Sequence, residues 1–426
     1  MLKLLVTGDL HLGRRASRLP DELADDPRFS ATAVWTALVE RALTEDVAAV
    51  LLTGDVVDRD NRFFEALGPL LSGLSRLAAA SIPAFAVAGN HDFDVLPRLA
   101  AQLPAGALRL LGRGGSWELA TLEREGRPCL GLAGWSFPRE RFPGDPLEGF
   151  PAAELQAARG GLTWLGLLHS EVGVAASPYA PTAAERLRAQ GVEAWLLGHV
   201  HSAGALPGEG PRLLYPGSPL ALDFREPGVH GALLVELEGE RLLGWRQIPL
   251  SPTRYEEFEL SLPAGAEEEG QVAAVNRRLG ALLEEAETQG EEALLCLGVR
   301  LKLAGKRAGD LGALFADLAD LRLPGRAATL FVDRWRDATH AAPDLAALAT
   351  GSHPPARLAR LLLALEAGGE EALVAAAGQK LELVQAAPAY AGLARGPAPG
   401  PDAARGHLRR AGEELLARLL AQKEPG

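Results

Sequence analysis

The sequence predicts an α/β domain, then a small α+β domain, then a helical C-terminal region. Three observations lead there: six short apolar runs, amphipathic stretches of helical spacing between them, and a shift to turn-punctuated, strand-like segments after the sixth run. The expected boundaries are 1–250, 251–340 and 341–426.

The six runs are "LKLLVTG" (2–8), "AAVLLTG" (48–54), "IPAFAVAG" (82–89), "PCLGLAG" (128–134), "TWLGLLH" (163–169) and "AWLLGH" (194–199). Their length, flanking glycines and near-continuous hydrophobicity are those of strands covered on both faces. Between them "ATAVWTALVERALTE" (31–45), "RFFEALGPLLSGLSRLAAA" (62–80) and "TAAERLRAQG" (182–191) repeat apolar residues at helical spacing. Beyond the sixth run, "RLLYPGS", "GALLVELEGERLLGWRQIPL" and "RYEEFELSL" read as antiparallel strands turned at glycine and proline. An acidic helix-like stretch (266–290), a strand-like "LLCLGVRLKLAG" (294–305), a helix-like "AGDLGALFADLADL" (308–321) and "ATLFVDRW" (328–335) make up the small domain. The tail from about 342 is helix-prone and ends in "GHLRRAGEELLARLLAQ" (406–422), with "GPAPGPDAARG" (396–406) as a linker.

Apolar residues make up 47% and charged residues 23% of the chain, the balance of a soluble globular protein. A net charge of -12 argues against a broad basic groove for nucleic acid, while leaving room for local phosphate binding. The apolar run at the N-terminus is broken by Asp9 and His11, too short for a membrane span and without a small-residue cleavage site. Cys129 and Cys296 have neither metal-type nor disulfide-type spacing, which fits a reducing compartment, so a cytoplasmic protein is expected.

All of the runs but the fourth end in residues able to bind metal. The first gives Asp9 and His11, the second Asp55 and Asp58, the third Asn90, His91 and Asp92, the fifth His169, the sixth His199 and His201. Loops after the carboxyl ends of strands are where ligands gather in open α/β sheets, so these groups are placed to converge. If the sixth strand ran on, His199 and His201 would point to the same side. By composition a D-x-H arises by chance roughly 0.4 times in such a chain and a G-N-H-D roughly 0.0003 times, so the second motif is the specific one. Carboxylates, imidazoles and one amide without a thiolate suit manganese, iron or zinc in a site of two ions. Two divalent ions about 3.5–4 Å apart clamp a phosphoryl group and supply its nucleophile.

The series "DLH", "GDVVD", "GNHD", "H" and "GHVH" resembles the calcineurin-like metallophosphoesterase superfamily. The resemblance implies a mixed β-sandwich flanked by helices and two divalent ions, manganese being the expected metal. It implies one ion on Asp9, His11, Asp55 and His201, and a second on Asp55, Asn90, His169 and His199, with Asp55 bridging. It further implies that His91 contacts the phosphate and protonates the leaving oxygen, that Asp58 orients His91, and that Arg59 contacts phosphate. Some nuclease members carry histidine at the position of Asp58. The segment "LLYPGSPLALDFREPGVHGALLVELEG" (213–239) is similar to the DNA repair exonuclease branch, the SbcD- and YhaO-like nucleases, although His230 stands where that branch often has lysine. A DNA nuclease acting as a homodimer beside an ABC-type coiled-coil ATPase is therefore expected, with 251–340 as a capping domain.

Two other readings fit parts of the chain: a phosphoesterase for a small phosphodiester or nucleotide, and a scaffold with a structural metal site. Residues beyond 250 argue against the first, and the complete ligand series with His91 against the second. Arg14, Arg15 and Arg62 lie near the ligand loops and read as solvated arginines; His230, His340, His353 and His407 read as surface or structural. The leucines of 406–422 have core spacing, and docking onto a partner is the alternative.

Overall fold

A computed structural model describes residues 1–58, 63–239, 241–263, 266–307, 315–341, 345–386 and 400–421. From the N-terminus, β1 (Leu2–Thr7) leads through α1 (Ala31–Thr44) to β2 (Ala49–Leu52), α2 (Phe63–Ala79), β3 (Ala84–Ala86), α3 (Val95–Ala100) and β4 (Arg109–Leu110). The hairpin β5 (Trp117–Arg124) and β6 (Arg127–Trp135) follows, then α4 (Ala152–Ala158), β7 (Trp164–His169), α5 (Ala184–Arg188), β8 (Ala194–Gly198), β9 (Gly204–Ala205) and β10 (Arg212–Tyr215). Next come β11 (Gly231–Glu238), β12 (Arg241–Pro249), β13 (Thr253–Ser261), α6 (Glu268–Gly290), β14 (Cys296–Arg307), β15 (Arg322–Pro324) and β16 (Thr329–Ala341). The described chain ends in the helices α7 (Leu345–Ala349), α8 (Pro354–Glu366), α9 (Glu371–Ala386) and α10 (Pro401–Ala421).

Two six-stranded mixed sheets, ordered β12-β11-β1-β2-β3-β4 and β5-β6-β7-β8-β10-β9, form the sandwich. Leu4, Val6, Leu51 and Phe85 from the first pack with Leu132, Leu165, Leu167 and Leu196 from the second in one core. Each buried leucine there contributes roughly 1.5–3 kcal/mol. The other face of the first sheet is covered by α1, α2 and α3 through Val34, Trp35, Leu38, Leu70, Leu74 and Leu96. Both faces are dry, which explains why these strands read as continuous apolar runs rather than alternating ones. Ser30 starts α1 by accepting the Ala33 N–H at 3.2 Å. The carbonyl of Pro69, inside α2, takes the Trp35 indole N–H at 2.9 Å and locks the two helices together.

Parallel pairing of β1 with β2, β2 with β3, β6 with β7 and β7 with β8 brings the carboxyl ends of β1, β2 and β3 to one edge of their sheet and those of β7 and β8 to one edge of theirs. A third sheet has the order β13-β14-β16-β15. The chain divides into two compact units, Met1–Leu260 with Ala273–Lys302 and Phe315–Arg336, and Ser261–Val272 with Leu303–Leu314 and Asp337–Gly426. In the second unit Leu365, Val374 and Ala404 tie α8, α9 and α10 together.

Some expectations need correction. The linker expected over 396–406 is helix from Pro401 onward, because a proline at the first helical position has no N–H to leave unpaired. Residues 308–314 of the expected helix 308–321 lie outside the described residues, and Ala316–Asp320 forms a 3-10 turn. The strand β5 went unread, since Glu118, Thr121 and Glu123 interrupt its apolar character.

Candidate metal centre

The strand ends turn sharply. Asp9, His11 and Asp55 have φ of 50°, 49° and 50°, and His199 has φ of 95°, all in the left-handed region that non-glycine residues avoid. Each costs on the order of 1–3 kcal/mol, a strain that clusters at functional sites. The turns are fixed by backbone hydrogen bonds from Asp9 N to Gly54 O (2.9 Å) and from His11 N to Asp55 O (3.0 Å). Side chains complete the frame: the His199 N–H donates to both Asp9 carboxylate oxygens (3.2 and 3.0 Å), and the His91 N–H to Asp55 Oδ1 (2.8 Å).

Glycine precedes the ligand loops because nothing larger fits. A Cβ on Gly89 would collide with the Asp55 carboxylate, and one on Gly198 with the Thr53 carbonyl and the His169 ring. The "G-N-H-D" and "G-H-V-H" motifs thus encode close approach as well as ligands.

The structure brings the expected residues together. Asp9, His11 and His201 offer ligand atoms within 4.8 Å of one another, as do Asp9, Asp55 and His169, and Asp9 belongs to both sets. Asn90 joins the second, its Oδ1 lying 3.1 Å from His169 Nε2. His199 stacks edge-on against His169 with ring centroids 5.3 Å apart, while the His201 ring lies 5.4 Å from that of His11. The two histidines therefore lie against different neighbours, His199 beside His169 and His201 beside His11. Strand alternation does not govern them: β8 stops at Gly198, and the φ of His199 takes the chain out of the strand.

The protons and lone pairs of these residues fit cations. His169 Nδ1 lies 3.0 Å from the Thr53 carbonyl, which only accepts, so Nδ1 carries the proton of the neutral ring. Its Nε2 lone pair then faces Asn90 Oδ1 at 3.1 Å and Asp55 Oδ2 at 3.4 Å, three acceptors with no hydrogen among them. Without a metal a second proton fills the gap: burial opposes it, yet the Asp55 carboxylate lifts the His169 imidazole to about 9. The same histidine helps hold the buried Asp55 well below the usual carboxylate range. His199 goes the other way, pushed down to about 3 by burial and by the charge on His169. Both ring nitrogens of His11 are buried without a hydrogen-bond partner among the described residues, a cost of about 1–3 kcal/mol per group unless something binds there.

His91 stands at the edge, its ring 4.9 Å from that of His11. Asp58 Oδ1 lies 3.5 Å from His91 Nδ1, 3.4 Å from His11 Nδ1 and 2.8 Å from Arg14 Nε. These are charge contacts rather than aligned hydrogen bonds, since neither Asp58 Oδ1 nor His91 Nδ1 has an aligned partner among the described residues. Contact with Asp58 nonetheless raises the pKa of His91. Arg14, read from sequence as solvated, is thus engaged at the centre, whereas Arg15 binds the Asp26 carbonyl at 2.7 Å.

Asp92 ends the third run's motif but joins none of these ligand groups. Fully buried, its carboxylate accepts the N–H groups of Val56 (2.7 Å), Val57 (3.3 Å) and Gly89 (2.7 Å), bracing the Asp55 loop against the Asn90 loop. Burial and the neighbouring Asp55 push it up to about 7. His230 is buried against Ser218, and His353 caps α8. Arg59 and Arg62 lie outside the described residues. Sequence reasoning gave no role to Glu226, whose Oε1 lies 2.6 Å from His201 Nδ1, although it is the glutamate of "EPGVHG" within the 213–239 segment that resembles the exonuclease branch.

The fold and this centre are those of a metallophosphoesterase domain. Residues 2–203 match the family model of calcineurin-like phosphoesterases, and the chain carries a metallophosphoesterase domain of that family. It is similar to the uncharacterised metallophosphoesterase YhaO of Bacillus subtilis, 26% identical over 258 residues that cover 55% of this chain and 57% of that protein. It is also similar to the DNA double-strand break repair protein Mre11 of Methanosarcina mazei, 34% identical over 91 residues, 21% of this chain and 14% of that protein. The chain therefore spans less than two thirds of these relatives. Among solved structures, a dimetal phosphatase from Danio rerio aligns over 59% of this chain and 99% of its own, with 14% identity and a TM-score of 0.38. Among the described residues no helix is long and apolar enough to cross a membrane.

Proposed function

We propose that the chain is a dimetal phosphodiesterase that hydrolyses DNA, a cytoplasmic repair nuclease working as a homodimer beside an ABC-type coiled-coil ATPase. The observation that carries this reading is the convergence of ligand atoms from five strand ends on one centre with His91 at its edge. The named role of the Mre11 relative supports DNA as the substrate. In this reading 1–250 is the nuclease domain, 251–340 the capping domain and 341–426 a region for partner docking.

Asp9, His11, Asp55 and His201 would hold one ion, and Asp55, Asn90, His169 and His199 the other. The donor set of carboxylates, imidazoles and an amide oxygen suits manganese. When bound, the ions lower the pKa of a water nucleophile and offset charge on the phosphoryl oxygens. The protein supplies the remaining steps. The strained turns and the braces from Asp92 hold the ligands in place, so little reorganisation accompanies the reaction. His91 binds the phosphate edge and gives its proton to the leaving oxygen. Asp58, steadied by Arg14, keeps that proton on His91. Arg59 adds a further phosphate contact.

The test is end-labelled single- and double-stranded DNA incubated with pure protein and manganese, wild type beside His91→Ala. Cleavage by wild type that falls sharply in the variant is expected. DNA left intact by wild type overturns the nuclease reading; turnover of bis-p-nitrophenyl phosphate alone would mark a small-molecule phosphoesterase instead.

A further inference from the structure

The histidines of the centre differ in what stands behind them. His169 Nδ1 rests on a neutral carbonyl, that of Thr53, at 3.0 Å. His201 Nδ1 lies 2.6 Å from a carboxylate oxygen of Glu226. The second oxygen of Glu226 accepts the Leu222 N–H at 2.8 Å. The Leu222 carbonyl in turn accepts the Ser17 N–H at 2.9 Å and the Ser17 hydroxyl at 3.2 Å. Ser17 lies in the segment that follows Asp9 and His11, so these bonds tie the Glu226 segment to that stretch of chain. Glu226 lies beyond the residues 2–203 that match the family.

We propose that Glu226 is a positioning residue: its carboxylate keeps the proton of neutral His201 on Nδ1, so that the Nε2 lone pair faces Asp9 and His11 and sets their affinity for a divalent cation. The proposal rests on the reading that His201 is a metal ligand. A carboxylate only accepts, and Leu222 N–H occupies one of its oxygens, so the other requires a donor from His201. His201 Nε2 then lies 3.6 Å from Asp9 Oδ1, on the ligand side.

Glutamine at 226 has nearly the same shape and the opposite logic. Its single oxygen must turn to the Leu222 N–H, which points its NH2 group at His201 Nδ1. That nitrogen must then accept, the proton moves to Nε2, and the lone pair leaves the ligand side. Alanine leaves both tautomers open. Manganese affinity is therefore ordered wild type, then E226A, then E226Q. A residue needed only for packing gives the reverse, because isosteric glutamine is tolerated better than a truncation.

Calorimetric titration of the metal-free full chain with manganese tests this. E226Q binds one of two ions about 10–100-fold more weakly, and E226A falls between. E226Q matching wild type, or E226A weaker than E226Q, overturns the proposal. Wild type that binds no manganese would instead remove His201 as a ligand, a separate failure. Nitrogen-15 spectra of the metal-free wild type at alkaline pH keep the claim testable if a variant does not fold. They show His201 protonated at Nδ1; protonation at Nε2 overturns the proposal.

Discussion

Replacing Gly198 by alanine probes the centre without removing a ligand. The new Cβ falls against the Thr53 carbonyl and the His169 ring, where the 3.0 Å contact from His169 Nδ1 to Thr53 O now runs. Thr53 is backbone at the end of β2 and cannot rotate away, so the ends of β2 and β8 must separate. Overpacking of this kind costs about 1–3 kcal/mol. Losing the buried hydrogen bond adds about 1–3 kcal/mol. The sum is roughly 2–6 kcal/mol. His169 also loses the acceptor that fixes its tautomer, so its ion should bind more weakly. Gly204 supplies the control: a Cβ there meets nothing within 4 Å, so Gly204→Ala should stay within about 0.5 kcal/mol of wild type. Urea unfolding of the metal-free proteins, followed by manganese titration, reads both effects. If Gly198→Ala is as stable as Gly204→Ala and binds two ions normally, the close-approach reasoning is wrong.

Replacing His91 by asparagine should lower kcat about 10²–10⁴-fold while leaving metal content unchanged, as measured by metal analysis beside phosphodiester turnover; loss of metal with activity would make His91 a ligand instead. The pH profile should move in opposite directions for its two neighbours. The acid must be protonated, so activity falls as pH rises through the pKa of His91, which Asp58 raises and Arg14 lowers. Asp58→Asn should shift the alkaline limb of kcat/KM to lower pH and Arg14→Ala to higher pH; shifts of the same sign would discount the charge contacts. Manganese at 100 times its dissociation constant should stabilise the fold by about 2.7 kcal/mol per site, seen as a rise in melting temperature that a chelator reverses. An unmoved transition would show that metal does not bind the folded chain.

Much of the centre was legible because the fold writes it at fixed places. The buried strands leave unbroken apolar runs, and each ligand motif sits where such a run stops, so Asp9, Asp55, Asn90, His169 and His199 could be read in order. The specific signal in "GNHD" has a physical source, since Gly89 must pass beside the Asp55 carboxylate. What stayed hidden depends on contacts between distant residues. Glu226 reaches His201 across 25 positions, and Arg14 reaches Asp58 from the loop after a different strand, a contact that period and spacing do not reveal. Asp92 was grouped with metal-binding types because its chemistry fits; only its three backbone donors show that it braces instead. At His199 strand alternation failed because the strand had already ended.

The most direct measurement is anomalous diffraction from crystals of the protein grown with manganese. Two peaks are expected, one coordinated by Asp9, His11 and His201, the other by Asn90, His169 and His199, with Asp55 reaching both. A single peak, or peaks away from these side chains, would contradict a two-ion centre at the strand ends.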